Sequence, residues 1–248
     1  MRKLLLSFLF ITMGFSLIGC FGNPIDVTVD EAFELMNESI QNYLDADSVE
    51  LIYSGIYTSS INNLTDELHV RMKRAGSESL VGNVIISVAA NNDVYGFYNN
   101  FQDGVLYSNR IENNESTKVK EVYLAATFVT LYKSFLKSTI ALEDTRDLAI
   151  LTTSDTISLT FELASTAIES TLYVLQAMDS AKLATVTMTF TSRGRLISMD
   201  VAYEAEIDDV FGSFTYDVSF EKIDRYIIVP QLSTSEIAAY EEKVDEAE

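Results

Sequence analysis

Three segments in the last third of the chain alternate between apolar side chains and polar or small ones. Residues 184–191 read ATVTMTFT, and the same period of two returns over residues 197–205 and 214–221. Successive side chains of a β-strand point to opposite faces of a sheet, so each segment has one apolar and one polar face. An antiparallel sheet that is packed on one side requires this division. The chain is therefore expected to build such a sheet.

Further strand-like segments, rich in Val, Ile, Tyr and Thr, occupy much of the chain before that point. They are residues 49–61, 67–73, 80–90, 94–98, 105–110, 150–153 and 157–163. Asp103-Gly104 separates two of these segments and is typical of a tight hairpin turn, because both residues tolerate a positive φ. The order predicts a meander of antiparallel strands.

Helices are predicted by capping residues. Thr28 and Glu31 have the spacing of a capping box, in which a hydroxyl and a carboxylate satisfy the first free N–H groups of a helix, so a helix should run to about Asp45. Thr166 and Glu169 repeat this spacing and predict a helix in the second half. Its apolar side would carry Ile168, Leu172 and Leu175. The acidic tail from Ser235 onward is also predicted to be helical.

A stripe of four apolar residues predicts one more helix, over residues 122–139. The stripe consists of Leu124, Phe128, Leu131 and Phe135, at spacings of four, three and four. One interpretation, the commoner one for such a stripe, is ordinary core. The other is that the helix covers a cavity and that these four side chains are its ligand-contacting wall. The sequence leaves both open.

The first twenty residues have the pattern of an export signal. Arg2 and Lys3 precede an apolar run over residues 4–18, which is shorter than the roughly 20 residues of a membrane-spanning helix. The stretch LIGC, which ends at Cys20, resembles the lipobox of bacterial lipoproteins. The resemblance implies a lipid thioether on Cys20, cleavage before it, and a lipid anchor at the extracytoplasmic face of the bacterial cell membrane.

Cys20 is the only cysteine, so the chain has no internal disulfide and the exported domain must be held together by its core. The expected organisation is a signal peptide over residues 1–19, a lipidated tether over 20–28 and a single domain over 29–248.

The composition argues against nucleic acid as a partner. The formal net charge is −20, and no cluster of Lys and Arg of the kind that binds phosphates is present. The lipid anchor would hold this acidic domain near a membrane whose anionic surface repels it.

No residue pattern points to catalysis, a metal or a cofactor. His69 is the only histidine, which is too few for a usual zinc site, and is expected to be structural or on the surface. Two carboxylate pairs remain as weak calcium candidates, although neither fits a calcium-binding loop. They are Asp45 with Asp47 and Asp208 with Asp209. We therefore expect a protein that is not an enzyme and carries no cofactor or metal.

The order of elements resembles a known superfamily. A capped helix, a long meander and two helices precede the strands VTMTFTSRGRLISMDVAYEAEID and GSFTYDVSFEKID, and IIVP follows. This order is similar to the lipoprotein-localisation (LolA/LolB-like) superfamily and its lipoprotein relatives, including the DUF6612 type. The resemblance implies an α+β fold, an antiparallel half-barrel (an incomplete β-barrel) with helices covering the open mouth. A generic α+β lipoprotein domain is the alternative.

Two functions follow as hypotheses. The resemblance implies an apolar cavity between sheet and helices that binds or carries a hydrophobic ligand, a lipid or an acyl chain. The alternative is a structural or protein-interaction surface lipoprotein with a filled core and no ligand. The sequence identifies no protein partner.

Overall fold

The computed structural model describes most of the chain after residue 23. The described residues are 24–61, 63–90, 93–113, 115–173, 180–207 and 210–243. Cys20, Leu175, Asp208 and Asp209 lie outside them.

The first half of the chain forms six long strands in direct succession. They are β1 (Ser48–Ser59), β2 (Asn63–Lys73), β3 (Val81–Ala90), β4 (Asp93–Gln102), β5 (Val105–Glu112) and β6 (Glu115–Val122). Asp103 and Gly104 have φ of 53° and 74°, so the predicted hairpin turn between β4 and β5 is confirmed. Strand β6 was not predicted, because its sequence ESTKVKEV is too polar to show a strand pattern.

The second half supplies the remaining strands. They are β7 (Thr145–Thr152), β8 (Thr156–Leu163), β9 (Ser180–Ala181), β10 (Ala184–Thr191), β11 (Leu196–Ile207), β12 (Val210–Ile223) and β13 (Glu241–Glu242). The three alternating segments, residues 184–191, 197–205 and 214–221, lie in β10, β11 and β12, so the predicted strands are confirmed.

All these strands belong to one sheet, in the order β13-β6-β5-β4-β3-β2-β1-β12-β11-β10-β8-β7, with β9 on β11. The pairs are antiparallel, except that β13 lies parallel to β6. Within the described residues no ladder joins β7 to β13, so the sheet is open. An open, antiparallel-dominated sheet with a few helices is consistent with the predicted half-barrel.

Helix α1 (Val29–Asp45) begins with the predicted capping box. The Glu31 N–H donates to Thr28 Oγ1 at 3.3 Å, and the Thr28 N–H donates to Glu31 Oε2 at 2.8 Å. Its buried side, which includes Met36 and Ile40, packs on β7, β8, β10 and β11. We call the sheet face under α1 the inner face and the opposite face the outer face.

The second predicted helix is much shorter than expected. Helix α2 covers only Ala125–Tyr132, because β6 continues to Val122 and the chain leaves the helix at Lys133. Leu136 then forms a β-bridge with Leu172 instead of another helical turn. The prediction of a helix over residues 122–139 was wrong at both ends.

The last two helices also differ from prediction. Helix α3 (Ser165–Thr171) follows Ala164, whose side chain cannot cap it, so the capping box at Thr166 and Glu169 was wrong. The tail forms only one turn, α4 (Thr234–Ile237), which is capped by Ser233. The chain then becomes β13 on the free edge of β6, and this edge pairing explains why the tail is not helical throughout.

The C-terminal segment crosses the outer face of β3, β4 and β5. Ile227 and Val229 are buried against Val81, and the Tyr107 and Tyr240 rings meet edge to face at 5.4 Å. Within the described residues, no helix is long and apolar enough to cross a membrane.

An ion cluster on the outer face joins β1, β2 and β12. Glu50 Oε1 accepts from Arg71 Nε at 2.9 Å and lies 3.2 Å from His69 Nε2, while Glu50 Oε2 accepts from Lys222 Nζ at 2.7 Å. Burial alone would raise the pKa of Glu50, but the hydrogen bonds from Lys222, Arg71 and His69 outweigh it and lower the pKa to about 2. The carboxylate therefore stabilises the folded state.

Replacing Glu50 is expected to cost stability in a pH-dependent way. At pH 7, Glu50→Gln should lower the free energy of unfolding by about 1–2 kcal/mol, since the charge-assisted hydrogen bonds are lost and partly exposed partners are screened by water. The native pKa is depressed, so this contribution is complete above about pH 5 and fades as the pH falls towards 2. Urea unfolding across this range measures it.

The exposed Lys182–Glu204 pair provides the control. Glu204→Gln should change stability by less than about 0.5 kcal/mol. An effect of Glu50→Gln that is equally large at pH 2.5 and pH 7 would contradict the assignment.

Candidate functional site

The four stripe residues do not share one environment. Phe128 and Phe135 are fully buried on the inner face, whereas Leu124 and Leu131 are 73% and 51% exposed. The stripe is split because α2 ends before Phe135 and Leu124 precedes its first turn. The structure therefore brings only Phe128 and Phe135 into the core.

Phe135 contacts a group of buried tyrosines that the sequence did not single out. We call Tyr53, Tyr173, Tyr203 and Tyr216, together with Asp66, the tyrosine cluster. The Tyr53 ring centroid lies 5.0 Å from Phe135, 5.5 Å from Tyr173 and 5.5 Å from Tyr216. Three of the tyrosines come from β1, β11 and β12, and Tyr173 follows α3. Inner-face positions in the alternating strands were the available signal, but alternation does not tell a tyrosine that packs from one that serves a site.

The tyrosine cluster encloses polar atoms. The Tyr53 hydroxyl donates to Asp66 Oδ1 at 3.2 Å, and the buried Tyr216 hydroxyl has no hydrogen-bond partner among the described residues. A Cβ on Gly55 would collide with the Tyr53 hydroxyl and the Asp66 carboxyl, so any larger residue here would force these two side chains to move. The cavity here measures about 10 Å³, space for one water-sized polar group.

Burial favours the neutral form of each group in the tyrosine cluster. Desolvation raises the pKa of Tyr173 to about 12 and raises those of Tyr53, Tyr203 and Tyr216 further. Burial also raises the pKa of Asp66, and the hydrogen bond from Tyr53 offsets this only in part. The Tyr53 hydroxyl thus donates to a carboxyl group that resists ionisation.

Asp66→Asn is expected to stabilise the protein at neutral pH. Because the native pKa is raised, ionising Asp66 costs folding free energy once the pH rises above the value of the unfolded chain. Asparagine keeps an acceptor for the Tyr53 hydroxyl and removes that cost. In urea unfolding, the variant should have a higher free energy of unfolding than the wild type at pH 7.5 and the same free energy near pH 3.5.

The exposed Glu67 on the same strand is the matched control, and Glu67→Gln should leave stability unchanged at both pH values. A less stable Asp66→Asn protein at pH 7.5 would show that the carboxylate itself is needed.

Apolar side chains continue from the tyrosine cluster along the inner face, towards the end of the strands where β1 connects to β2 and β3 to β4. We call these side chains the apolar wall. The wall consists of Leu64, Ile86, Val88, Tyr95 and Phe97, all half-buried. Val88 lies opposite Asp66 in one ladder and opposite Tyr95 in the next, so the wall begins where the tyrosine cluster ends.

Arg110 closes the far side of the apolar wall. Its guanidinium lies 5.8 Å from the ring centroids of both Tyr95 and Phe97, and it pairs with Glu112 at 2.7 Å. About half of the arginine side chain remains exposed. The arrangement offers a hydrophobic surface with one accessible cation at its edge.

A groove of about 320 Å³ lies on the outer face over β1, β10, β11 and β12. Asp200 stands opposite Asp217 there, between Ser54 and Thr187. Burial and the neighbouring Asp217 raise the pKa of Asp200. Threonine and serine hydroxyls that bond across β8 and β10 continue this face beyond the groove.

The other sequence candidates have structural partners. His69 lies in the ion cluster, the Asp45 carboxylate accepts from Gln41 Nε2, and that of Asp47 accepts from the Gly76 N–H. Asp208 and Asp209 lie outside the described residues. Among the residues that are described, no group of three or more His, Cys, Asp and Glu is placed to hold a metal ion.

The sequence matches no family model and no curated protein. Among solved structures, the chain is similar to LprF from Mycobacterium bovis, with 11% identity and a TM-score of 0.47 over 85% of this chain and 99% of that one. It is also similar to the LolA superfamily protein NE2245 from Nitrosomonas europaea, with 10% identity and a TM-score of 0.26 over 79% and 95%. The fold is described by its own strand order.

Proposed function

We propose that this chain is an extracytoplasmic lipoprotein, anchored through Cys20, whose domain over residues 29–248 binds an anionic amphiphile without catalysis. The acyl chain would lie on the apolar wall, and the acidic head group would pair with Arg110. In this proposal the helices cover the mouth of the half-barrel beside the wall.

One observation carries the proposal. The apolar wall continues the buried core, yet its side chains stay half-exposed beside an accessible guanidinium. Sites for small amphiphiles combine an apolar surface with a few placed polar groups. A fatty acid or phospholipid would cover the wall and replace Glu112 as the partner of Arg110.

Native mass spectrometry of the mature protein, extracted in mild detergent, tests this function. We expect adducts with the mass of a fatty acid or phospholipid. Arg110→Gln should weaken binding of a fluorescent fatty acid about tenfold, because a charge-assisted hydrogen bond is worth about 1.4 kcal/mol or more. Arg146→Gln removes another exposed arginine, on β7, and should leave the affinity unchanged.

The alternative, a structural or protein-interaction lipoprotein with a filled core, is favoured by the small cavity in the tyrosine cluster. About 10 Å³ leaves no room for an acyl chain beneath the aromatic rings. A bare polypeptide mass, with equal fatty-acid affinity in the wild type and Arg110→Gln, would decide for this alternative.

A further inference from the structure

Four of the most exposed apolar side chains of the described residues lie at one end of the strands, whereas Ile61, 72% exposed, and Val94, 63% exposed, lie near the other end. Val122 is 87% exposed, Leu124 73%, Tyr226 81% and Ile228 71%. Strand β6 ends at Val122, and β12 ends shortly before Tyr226. In an antiparallel sheet, every second connection lies at the same end of the strands. The C-terminal ends of β6 and β12 therefore lie at the end of the sheet that also holds the β2–β3, β4–β5, β7–β8 and β10–β11 turns. We call this end the anchor rim.

Tyr226 and Ile228 are held outward by a fixed backbone. The alternate residues Ile227 and Val229 are buried against Val81, so the extended segment turns Tyr226 and Ile228 to solvent. The Asp224 carboxylate fixes the start of the segment by accepting from the N–H groups of residues 47 and 48, at 2.8 and 3.2 Å.

The end of the segment is fixed as well. The Leu232 N–H donates to Gln102 Oε1 at 2.9 Å, at the last residue of β4. Two exposed apolar side chains therefore stand on a part of the chain that is tied down on both sides.

Val122 and Leu124 lie at the same end of the sheet. They flank Tyr123, whose N–H donates to the Gly104 carbonyl at 3.1 Å in the β4–β5 turn. The ladders place Gln102 opposite Val105 and Val105 opposite Val122. Adjacent strands lie about 4.8 Å apart, so Val122 stands about 10 Å from Gln102, where the C-terminal segment passes.

The N-terminal tether enters the domain at this rim. The Ile25 N–H donates to the Thr153 carbonyl at 2.8 Å, in the turn between β7 and β8. Four Cα–Cα steps separate Cys20 from Pro24, and an extended chain covers at most about 14 Å in that distance. An acylated Cys20 would therefore keep the anchor rim close to the bilayer.

We propose that the anchor rim rests on the phospholipid bilayer, with Tyr226, Ile228, Val122 and Leu124 in the interfacial layer. Tyrosine favours that layer because its ring is apolar and its hydroxyl reaches water. The exposed carboxylates Glu78, Asp103 and Asp155 also lie at this rim, so apolar contact and the tether, not charge, supply the attraction. The inference rests on the proposed lipid anchor.

The absence of tryptophan from the sequence gives a direct test. The full-length protein carrying Tyr226→Trp, purified from membranes, is reconstituted on vesicles of phosphatidylcholine and phosphatidylglycerol, with and without brominated acyl chains. Phe211→Trp places the control fluorophore at the opposite end of the strands, where Phe211 is 58% exposed. Ile228→Trp is a second reporter at the anchor rim, should Tyr226→Trp disturb folding.

Vesicle flotation measures the anchor, and quenching measures the orientation. We expect flotation of all variants, with a blue shift and loss of emission for Tyr226→Trp and Ile228→Trp and neither for Phe211→Trp. Flotation with no quenching, or with equal quenching at both ends, overturns the inference and leaves the anchor standing. Loss of flotation overturns the anchor and the inference together.

Discussion

Phe128→Ala is expected to lower the free energy of unfolding by about 3–5 kcal/mol, the usual cost of removing a fully buried aromatic ring. Phe128 has no exposed surface, and its ring centroid lies 5.2 Å from that of Phe101 and 4.9 Å from that of Tyr132. It is the buried side chain of α2, and it attaches the helix to the inner face together with Tyr132, whose hydroxyl accepts from Asn99 Nδ2. Its loss should loosen α2 as well as open a cavity.

Gly82 is the partner that makes this prediction specific. A Cβ at Gly82 would overlap the Phe128 ring, which is enclosed on its other sides and cannot shift freely. Gly82→Ala should therefore cost about 1–3 kcal/mol in the wild type, the usual penalty for overpacking a core. In the Phe128→Ala background the overlap is gone, and the same substitution should cost almost nothing.

Urea unfolding of the two single variants and the double variant completes the thermodynamic cycle. Gly96→Ala is the matched control, since a Cβ there meets its nearest neighbour at 3.7 Å, an ordinary contact. It should change stability by less than about 0.5 kcal/mol. If Gly82→Ala costs the same with and without the Phe128 ring, the packing of α2 described here is wrong.

The sheet could be predicted because the alternation of apolar and polar residues in its strands indicates which side chains are buried. In β10 and β12 every second side chain is buried, and that periodicity is visible without knowing what covers the sheet. Strand β6 lacked it because both of its faces are partly exposed at the edge of the sheet. The start of helix α1 was predicted because its cap uses only local side chains, Thr28 and Glu31.

The helix after β6 failed for the opposite reason. Spacing alone placed Leu124 and Phe135 on one helix, but the bridge between Leu136 and Leu172 joins segments that are distant in sequence. Such tertiary pairing outweighs local helical preference and is invisible in a single window of sequence. The same bridge brings Tyr173 onto the inner face, beside Phe135, where its N–H donates to the Phe135 carbonyl.

The candidate site could not be predicted from local sequence patterns, because its residues come from different strands. Tyr53, Asp66 and Val88 come from three neighbouring strands, and the strand register brings them together on the inner face. A shift of one residue in that register would move a strand's side chains to the opposite face of the sheet. Gly55 is needed only because the Tyr53 hydroxyl occupies the space of its missing side chain. Arg110 gave no signal either, because its position over two rings follows from the pairing of β4 with β5.

Replacing Cys20 is expected to have the largest effect on where the protein is found. Cys20→Ala removes the one thiol that could carry a thioether-linked lipid. Labelled palmitate should then be absent from the protein, whereas the wild type should be labelled. Ser16→Ala changes a small residue just outside the LIGC stretch and should retain the label.

The physical reason is the number of acyl chains. Each buried CH₂ contributes about 0.8 kcal/mol, and a single chain holds a protein only reversibly, whereas two hold it stably. The acidic domain, with a net charge of −20 over the whole chain, supplies no electrostatic attraction to an anionic bilayer. Without the lipid, the four exposed side chains of the anchor rim should give only transient binding, so mature protein released from the signal should wash off vesicles. Cys20→Ala protein that still incorporates palmitate, or mature unlabelled protein that floats as well as the wild type, would contradict the lipid anchor.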